Sequence, residues 1–156
     1  MADQPTLVLM TQAGYDSLQQ ELVELQDTKI PAAIDRVATA RSFGDLSENS
    51  EYHAAREDLA VLNGRLEEVQ SILKRAQVAT STNGVVGVGS QVVVEIHGKG
   101  DQHRYFVVGE WEANPAEKKI SEQSPLGQAL VGKKVGEQVE VDVPAGKLVY
   151  QIKAVE

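Results

Sequence analysis

Tyr52-His53-Ala54-Ala55-Arg56-Glu57-Asp58-Leu59-Ala60-Val61-Leu62-Asn63-Gly64-Arg65-Leu66-Glu67-Glu68-Val69-Gln70-Ser71-Ile72-Leu73-Lys74-Arg75-Ala76 is the stretch whose pattern decides the fold. Apolar residues fall at Tyr52, Ala55, Leu59, Leu62, Leu66, Val69, Leu73 and Ala76, with spacings of three and four in strict alternation. That is a heptad seam, which a helix gathers onto one stripe. Between its positions stand Arg56, Glu57, Asp58, Arg65, Glu67, Glu68, Lys74 and Arg75, residues suited to solvent. Asn63 and Gly64 weaken the helix locally, because both are poorer helix formers than alanine, yet they leave the period intact.

A seam of this kind needs a partner, and one lies upstream. Tyr15, Leu18, Leu22 and Leu25 follow the same rule, and Ile30, Ile34 and Val37 resume it after a slip. The slip coincides with Pro31. An interior proline removes a backbone hydrogen bond at a cost of roughly 3 kcal/mol, so a kink or local break is expected near Thr28–Pro31. Thr11 is a candidate cap for the start of this helix.

Ser42-Phe43-Gly44-Asp45 joins the two patterns. Gly44 suits the left-handed position that ends a helix, and Asp45 suits the N-cap of the next. So short a connection makes the helices antiparallel. At ~1.5 Å per residue, arms of about 28 residues project roughly 40 Å. Each fully buried leucine of the seam contributes on the order of 1.5–3 kcal/mol, enough for a stiff rod.

Working outward to the second half, the period changes. Residues 79–84, Ala79-Thr80-Ser81-Thr82-Asn83-Gly84, read as a linker. Strand-like runs follow at Gln91–His97, Arg104–Val108, Glu137–Val143 and Leu148–Val155. Glycine-containing turns such as Gly98-Lys99-Gly100-Asp101 and Pro144-Ala145-Gly146 separate several of them, and Pro125–Val131 reads as one short helix. The expected class is α+β: a coiled-coil hairpin over residues 1–78, the linker 79–84, and a β-rich domain over residues 85–156.

Composition excludes several functions. The chain has 156 residues, enough for one ordinary domain or two small ones, and no cysteine, so disulfides and thiolate metal sites are ruled out. Aromatics are 4% of the chain, which fits leucine-packed helices better than an aromatic-rich core. With 23 acidic against 15 basic residues the formal net charge is −8. A protein that binds nucleic acid by neutralising phosphates needs clustered Lys and Arg, so autonomous DNA or RNA binding is not expected. No apolar run resembles a signal peptide or is long enough to span a membrane, and the expected location is cytoplasmic.

The chemistry concentrates at the tip, Arg41-Ser42-Phe43-Gly44-Asp45-Leu46-Ser47-Glu48-Asn49-Ser50-Glu51-Tyr52. Asp-x-x-Glu at a helix start has a structural explanation, a capping box in which Asp45 accepts the Glu48 amide and Glu48 reaches back. Acids there also suit the helix dipole. The functional explanation is a contribution to a metal: hard carboxylate oxygens suit Mg²⁺, which usually takes only one or two carboxylates from a protein. No third or fourth ligand stands nearby, so the tip is expected to donate Asp45 and Glu48 to a metal held mainly elsewhere. Arg41 and Arg56 flank these acids and either pair with neighbours such as Glu48 or Glu57 or steer a phosphate backbone. His53 reads as a surface residue, and no nucleophile–base pair, phosphate-cradling glycine loop or zinc spacing occurs.

The run Ala40-Arg41-x-x-Gly44-Asp45-Leu46-Ser47-Glu48-Asn49-x-Glu51-Tyr52-His53-Ala54-Ala55-Arg56-Glu57 resembles the signature of the bacterial transcript-cleavage factors, the Gre proteins. Met10-Thr11-x-x-Gly14, Ser124-Pro125-Leu126-Gly127-x-Ala129-Leu130-x-Gly132-Lys133 and Val139–Pro144 extend the resemblance over nearly the whole chain, and His53–Glu57 is similar to the GreA branch. The resemblance implies a coiled coil that enters the secondary channel of bacterial RNA polymerase and an FKBP-like C-terminal domain that docks at the channel mouth. It implies that Asp45 and Glu48 help hold the second catalytic Mg²⁺ and its attacking water, so that the polymerase cleaves the backtracked RNA and the factor alone is no enzyme. It further implies that Arg41 and Arg56 contact the 3′ segment of the nascent RNA and that Ser124 and Pro125 belong to the docking loop. Two rivals remain at this stage: a paralogue that occupies the same channel and inhibits the polymerase, and a coiled-coil chaperone, which would need an apolar tip or an aromatic isomerase pocket.

Overall fold

In a computed structural model, residues 6–80 and 84–156 are described. Part of the expected linker, residues 81–83, lies outside the described residues. The contacts divide the chain into two units, Asp16–Arg75 and the pair of segments Met1–Tyr15 with Ala76–Glu156. This grouping differs from a boundary after residue 78, since it joins the residues before Asp16 to those after Arg75.

The helical unit is the expected antiparallel pair. Helix α1 spans Gln12–Glu24, a π-helical turn covers Leu25–Lys29, α2 spans Ile30–Ser42 and α3 spans Ser50–Arg75. Thr11 caps α1 as its residue type suggests, its Oγ1 accepting from the Gly14 amide at 3.1 Å. Asn63 and Gly64 lie inside an unbroken α3. At its 26 residues, α3 is roughly 39 Å long.

The irregularity near Pro31 is a π turn and not a break. The Ile30 amide donates to the Leu25 carbonyl, a bond five residues back, and Pro31 sits in the first turn of α2. One extra residue in the turn widens the backbone just where the proline ring would crowd the preceding turn. The same residue accounts for the slip in the seam, since Leu25 and Ile30 are five apart. Downstream the buried stripe is Val37 and Ala40, with Ile30 and Ala33 half-buried. Ile34, expected in the seam, is instead 50% exposed, because the stripe after the turn runs through Ile30, Ala33, Val37 and Ala40, and Ile34 lies one residue, about 100°, past Ala33. On α3, Tyr52, Ala55 and Val69 are buried and Leu59, Leu62, Leu66 and Leu73 half-buried, as the seam predicts.

Strands β1 (Val8–Met10) and β2 (Ala76–Val78) form a two-stranded parallel ladder with Val8 opposite Ala76 and Met10 opposite Val78. The seam runs to Ala76, but the helix ends at Arg75 and Ala76 opens β2. Besides pairing with β2, β1 contacts the turn at Glu110–Glu112, and the Thr11 amide after it donates to the Glu112 carboxylate at 2.9 Å, so the residues before α1 group with those after α3.

That second half is a five-stranded sheet. Its strands are β3 (Gln91–Ile96), β4 (Gln102–Val108), β5 (Lys119–Ser121), β6 (Gln138–Val143) and β7 (Gly146–Val155), in the order β5-β4-β3-β7-β6. Neighbours are antiparallel except β4 and β5. The register of β3 on β7 shifts between Val93 and Val94, a bulge that bends and twists a sheet locally. Helix α4 (Pro125–Leu130) packs with the sheet, and Leu130 joins Val92, Val94, Val107, Val139, Val141, Tyr150 and Ile152 in one core. Alternate residues of β3 and β6 point inward, the period of two that a half-buried strand requires. The chain is therefore α+β, a long helical hairpin with a β-rich unit holding one short helix. Among the described residues no helix is long and apolar enough to cross a membrane.

Candidate functional site

The tip grows out of a small core. Val37 and Ala40 of α2 bury against Tyr52 and Ala55 of α3, with Leu59 packed on the same cluster. Beyond it α2 ends at Ser42, where the Ser42 Oγ donates to the Thr39 carbonyl at 2.6 Å. Gly44 takes a φ of +79°, the left-handed conformation expected of it. Its amide returns to the Arg41 carbonyl at 3.3 Å.

The connection to α3 is longer than Ser42-Phe43-Gly44-Asp45. It covers residues 43–49, and α3 begins at Ser50. Asp45 is therefore not the N-cap. The Glu48 amide bonds the Asp45 main-chain carbonyl at 3.4 Å, and the Asp45 Oδ1 accepts from the Ser47 hydroxyl at 2.8 Å. The capping box does not form. Asn49 caps the helix instead: its Oδ1 accepts from the Tyr52 amide at 3.0 Å while its Nδ2 donates to the Ala40 carbonyl at 2.8 Å. One neutral side chain thus satisfies the N-terminus of α3 and ties it to the C-terminus of α2. Asparagine is as good an N-cap as aspartate, so residue type alone did not separate the two positions.

Asp45 and Glu48 are consequently both exposed and unencumbered by helix capping. Among the described residues neither forms a salt bridge, and beyond the Ser47 contact no side-chain hydrogen bond engages them. Several other charges on the arms are paired. Arg36 reaches Glu51 at 2.9 Å and also Asp58, and Arg65 reaches Glu21 at 2.6 and 2.8 Å and Glu68 at 2.8 Å.

Arg41 and Arg56 behave differently from those two. Their guanidinium carbons lie 5.8 and 5.7 Å from the centroid of the Tyr52 ring. Neither forms a salt bridge with Glu48 or Glu57 among the described residues. The positive charge of Arg41 beside the phenol, with Arg56 adding to it, lowers the Tyr52 pKa below the usual tyrosine value. Tyr52 was legible as a seam residue; its contact with both arginines was not. His53 is exposed, its ring 5.6 Å from that of Tyr52.

Ser124 and Pro125 belong to the β-rich unit and have a local structural role. The Ser124 Oγ accepts from the Gly127 amide at 3.0 Å as N-cap of α4, and Pro125 occupies its first turn, where the missing N–H is not needed. Pro125 is exposed and Ser124 half-buried.

Comparison with known proteins agrees along nearly the whole chain. The family model for the transcription elongation factor N-terminal domain matches residues 8–78, and that for the transcription elongation factor GreA/GreB C-terminal domain matches residues 81–156. The transcription elongation factor GreA of Clostridium acetobutylicum is 42% identical over 151 residues, covering 95% of this chain and 96% of that protein. GreA of Paracoccus denitrificans is 43% identical over 145 residues, covering 92% and 93%. The solved structure of the GreA factor homolog 1 (Gfh1) protein of Thermus thermophilus is 31% identical, covers 96% of this chain and 99% of that one, and superposes with a TM-score of 0.45. With both halves matched by the family models and close relatives aligned nearly end to end, the chain belongs to the GreA/GreB family of transcription elongation factors.

Proposed function

We propose that this chain inserts its helical tip into the secondary channel of bacterial RNA polymerase and stimulates the polymerase's own cleavage of backtracked nascent RNA. The observation that carries this reading is that capping of α3 by Asn49 leaves both tip acids available. Asp45 and Glu48 are hard oxygen donors on one exposed loop. Among the described residues no third His, Cys, Asp or Glu clusters with them. A pair of this kind suits a shared Mg²⁺, held mainly by the polymerase, better than a private one. Such an ion, when bound, supplies activation of water and stabilisation of charge on the phosphodiester. The residues of this chain complete and orient the site: Asp45 and Glu48 bring negative charge to one side of the scissile bond, and Arg41 and Arg56 offer positive charge to the RNA beside it. Ser124 and Pro125 lie on the loop that docks the second unit on the polymerase. The factor supplies part of a site and is no enzyme by itself, and its place of action is the cytoplasm.

The chaperone alternative asks for an apolar tip. Phe43 and Leu46 are 75% and 39% exposed there, but they stand among Arg41, Asp45 and Glu48, and family membership does not favour this reading. The inhibitory alternative shares the channel and differs in outcome. The test is RNA cleavage in stalled, backtracked polymerase complexes with Mg²⁺, comparing wild type with Asp45→Asn/Glu48→Gln and measuring polymerase binding alongside. Loss of cleavage by at least tenfold in a variant that still binds is the expected result. Wild-type protein that binds without stimulating cleavage points to the inhibitory paralogue.

A further inference from the structure

The hairpin treats its arginines in two ways. Arg36 and Arg65 are held by carboxylates from the facing arm. Arg41 and Arg56 are held by an aromatic ring. The difference matters because a carboxylate neutralises the cation that it positions, whereas the face of a ring attracts a guanidinium without cancelling its charge. An arginine restrained by a ring keeps its planar fork of donors free for a phosphate.

The placement of Tyr52 gives it this capacity. It lies in the first turn of α3 and is 8% exposed, fixed from behind by Val37, Ala40, Ala55 and Leu59. Arg56 follows it by four residues, so the two share a helix face. Arg41 reaches the same ring from the last turn of α2. One anchored side chain therefore gathers two cations from two helices, next to the loop that carries the acids.

We infer that Tyr52 is a positioning residue that holds Arg41 and Arg56 as an un-neutralised pair for consecutive phosphates of the extruded RNA. This rests on the proposed role of the two arginines and adds the device that aims them. Preorganisation of long side chains removes part of the ordering cost that each arginine would otherwise meet on binding RNA.

Two measurements test it. In free protein, NMR of the arginine side chains reads the stack directly: the δ protons of Arg41 and Arg56 are expected to be shifted upfield by the ring in wild type and in Tyr52→Phe, and to lose that shift in Tyr52→Leu. Absence of the shift in wild type overturns the inference, whatever the protein does to the polymerase. In backtracked complexes at saturating factor, Tyr52→Leu is expected to slow cleavage roughly fivefold or more, the loss of two ring–guanidinium contacts. Tyr52→Phe is expected to restore most of the rate. In an Arg41→Ala/Arg56→Ala background, Tyr52→Leu is expected to add no further loss. A loss that persists undiminished in that background means that Tyr52 only stabilises the helix and overturns the inference. Failure of wild type to stimulate cleavage removes the functional reading, while the NMR result still decides whether Tyr52 orients the arginines. Should Tyr52→Leu fail to fold by circular dichroism, the ring-current shift in wild type and Tyr52→Phe decides alone.

Discussion

Replacing Asn49 by alanine separates the two explanations of the tip motif. Asn49 makes two bonds, accepting from the Tyr52 amide at 3.0 Å and donating to the Ala40 carbonyl at 2.8 Å. Loss of an N-cap costs about 1 kcal/mol, and loss of a second net hydrogen bond about as much again. Ala40 is 1% exposed, which limits how well water replaces the missing donor. Asn49→Ala should therefore destabilise the hairpin by about 2 kcal/mol, or roughly thirtyfold in its opening constant. Urea unfolding followed by helical circular dichroism gives the total, and hydrogen exchange at the Tyr52 and His53 amides gives the local share. Asn49→Asp keeps the cap acceptor but lacks the donor for Ala40, so about half of the loss should remain. Asp45→Ala and Glu48→Ala should each stay within about 0.5 kcal/mol, as surface changes do. The reasoning is refuted if Asn49→Ala is silent while either acid costs ~1 kcal/mol, for then the capping box exists and the acids are structural.

Two further outcomes are expected. Hydrogen bonding to Arg65 lowers the Glu21 pKa below 4.5, so this carboxylate adds stability above its unfolded pKa and loses it as pH falls through the folded value. Hairpin stability measured from pH 6 to pH 2 should decline in that window, and less so in Arg65→Met; identical profiles would remove the pair from the account. Glu112 accepts from the Thr11 amide at 2.9 Å, from the Thr11 hydroxyl, and from the Gly109 amide at 3.1 Å, tying the start of α1 to the turn at Glu110–Glu112. Glu112→Ala should destabilise the β-rich unit by about 3 kcal/mol, read by the fluorescence of the single tryptophan, Trp111. A change under ~0.5 kcal/mol would show that the network is incidental.

What the sequence displays and what it hides divide along range. The hairpin is legible because Tyr52, Ala55, Leu59 and Leu62 repeat at short range, where one residue predicts the next. Strands β3, β4, β6 and β7 show through their alternation and the turns around Gly98 and Gly146. The ladder of β1 and β2 is not legible: three residues carry little pattern, and their partners lie 68 positions apart, as with Val8 and Ala76. Strand β5, also three residues long, escapes for the same reason. At the tip Asp45 and Asn49 are both eligible caps, and the Asp-x-x-Glu signature favours the wrong one. The contact of Tyr52 with Arg41 crosses between helices, so no spacing rule reveals it.

The π turn links these observations. An extra residue in a helix rotates everything after it by about 100° around the axis. With the turn at Leu25–Lys29 in place, Val37 and Ala40 face Tyr52 and Ala55. That phase puts Arg41, the next residue after Ala40, at the edge of the buried stripe, where its guanidinium reaches the Tyr52 ring. It also directs the Ala40 carbonyl to Asn49. An unbroken α-helix from the same start would turn Ala40 off the seam and move both contacts with it. The proline and the slip in the heptad pattern are thus conditions for the tip: they set the angle at which α2 arrives, and that angle lets a neutral residue close the loop while two acids and two arginines keep their charges exposed to a partner.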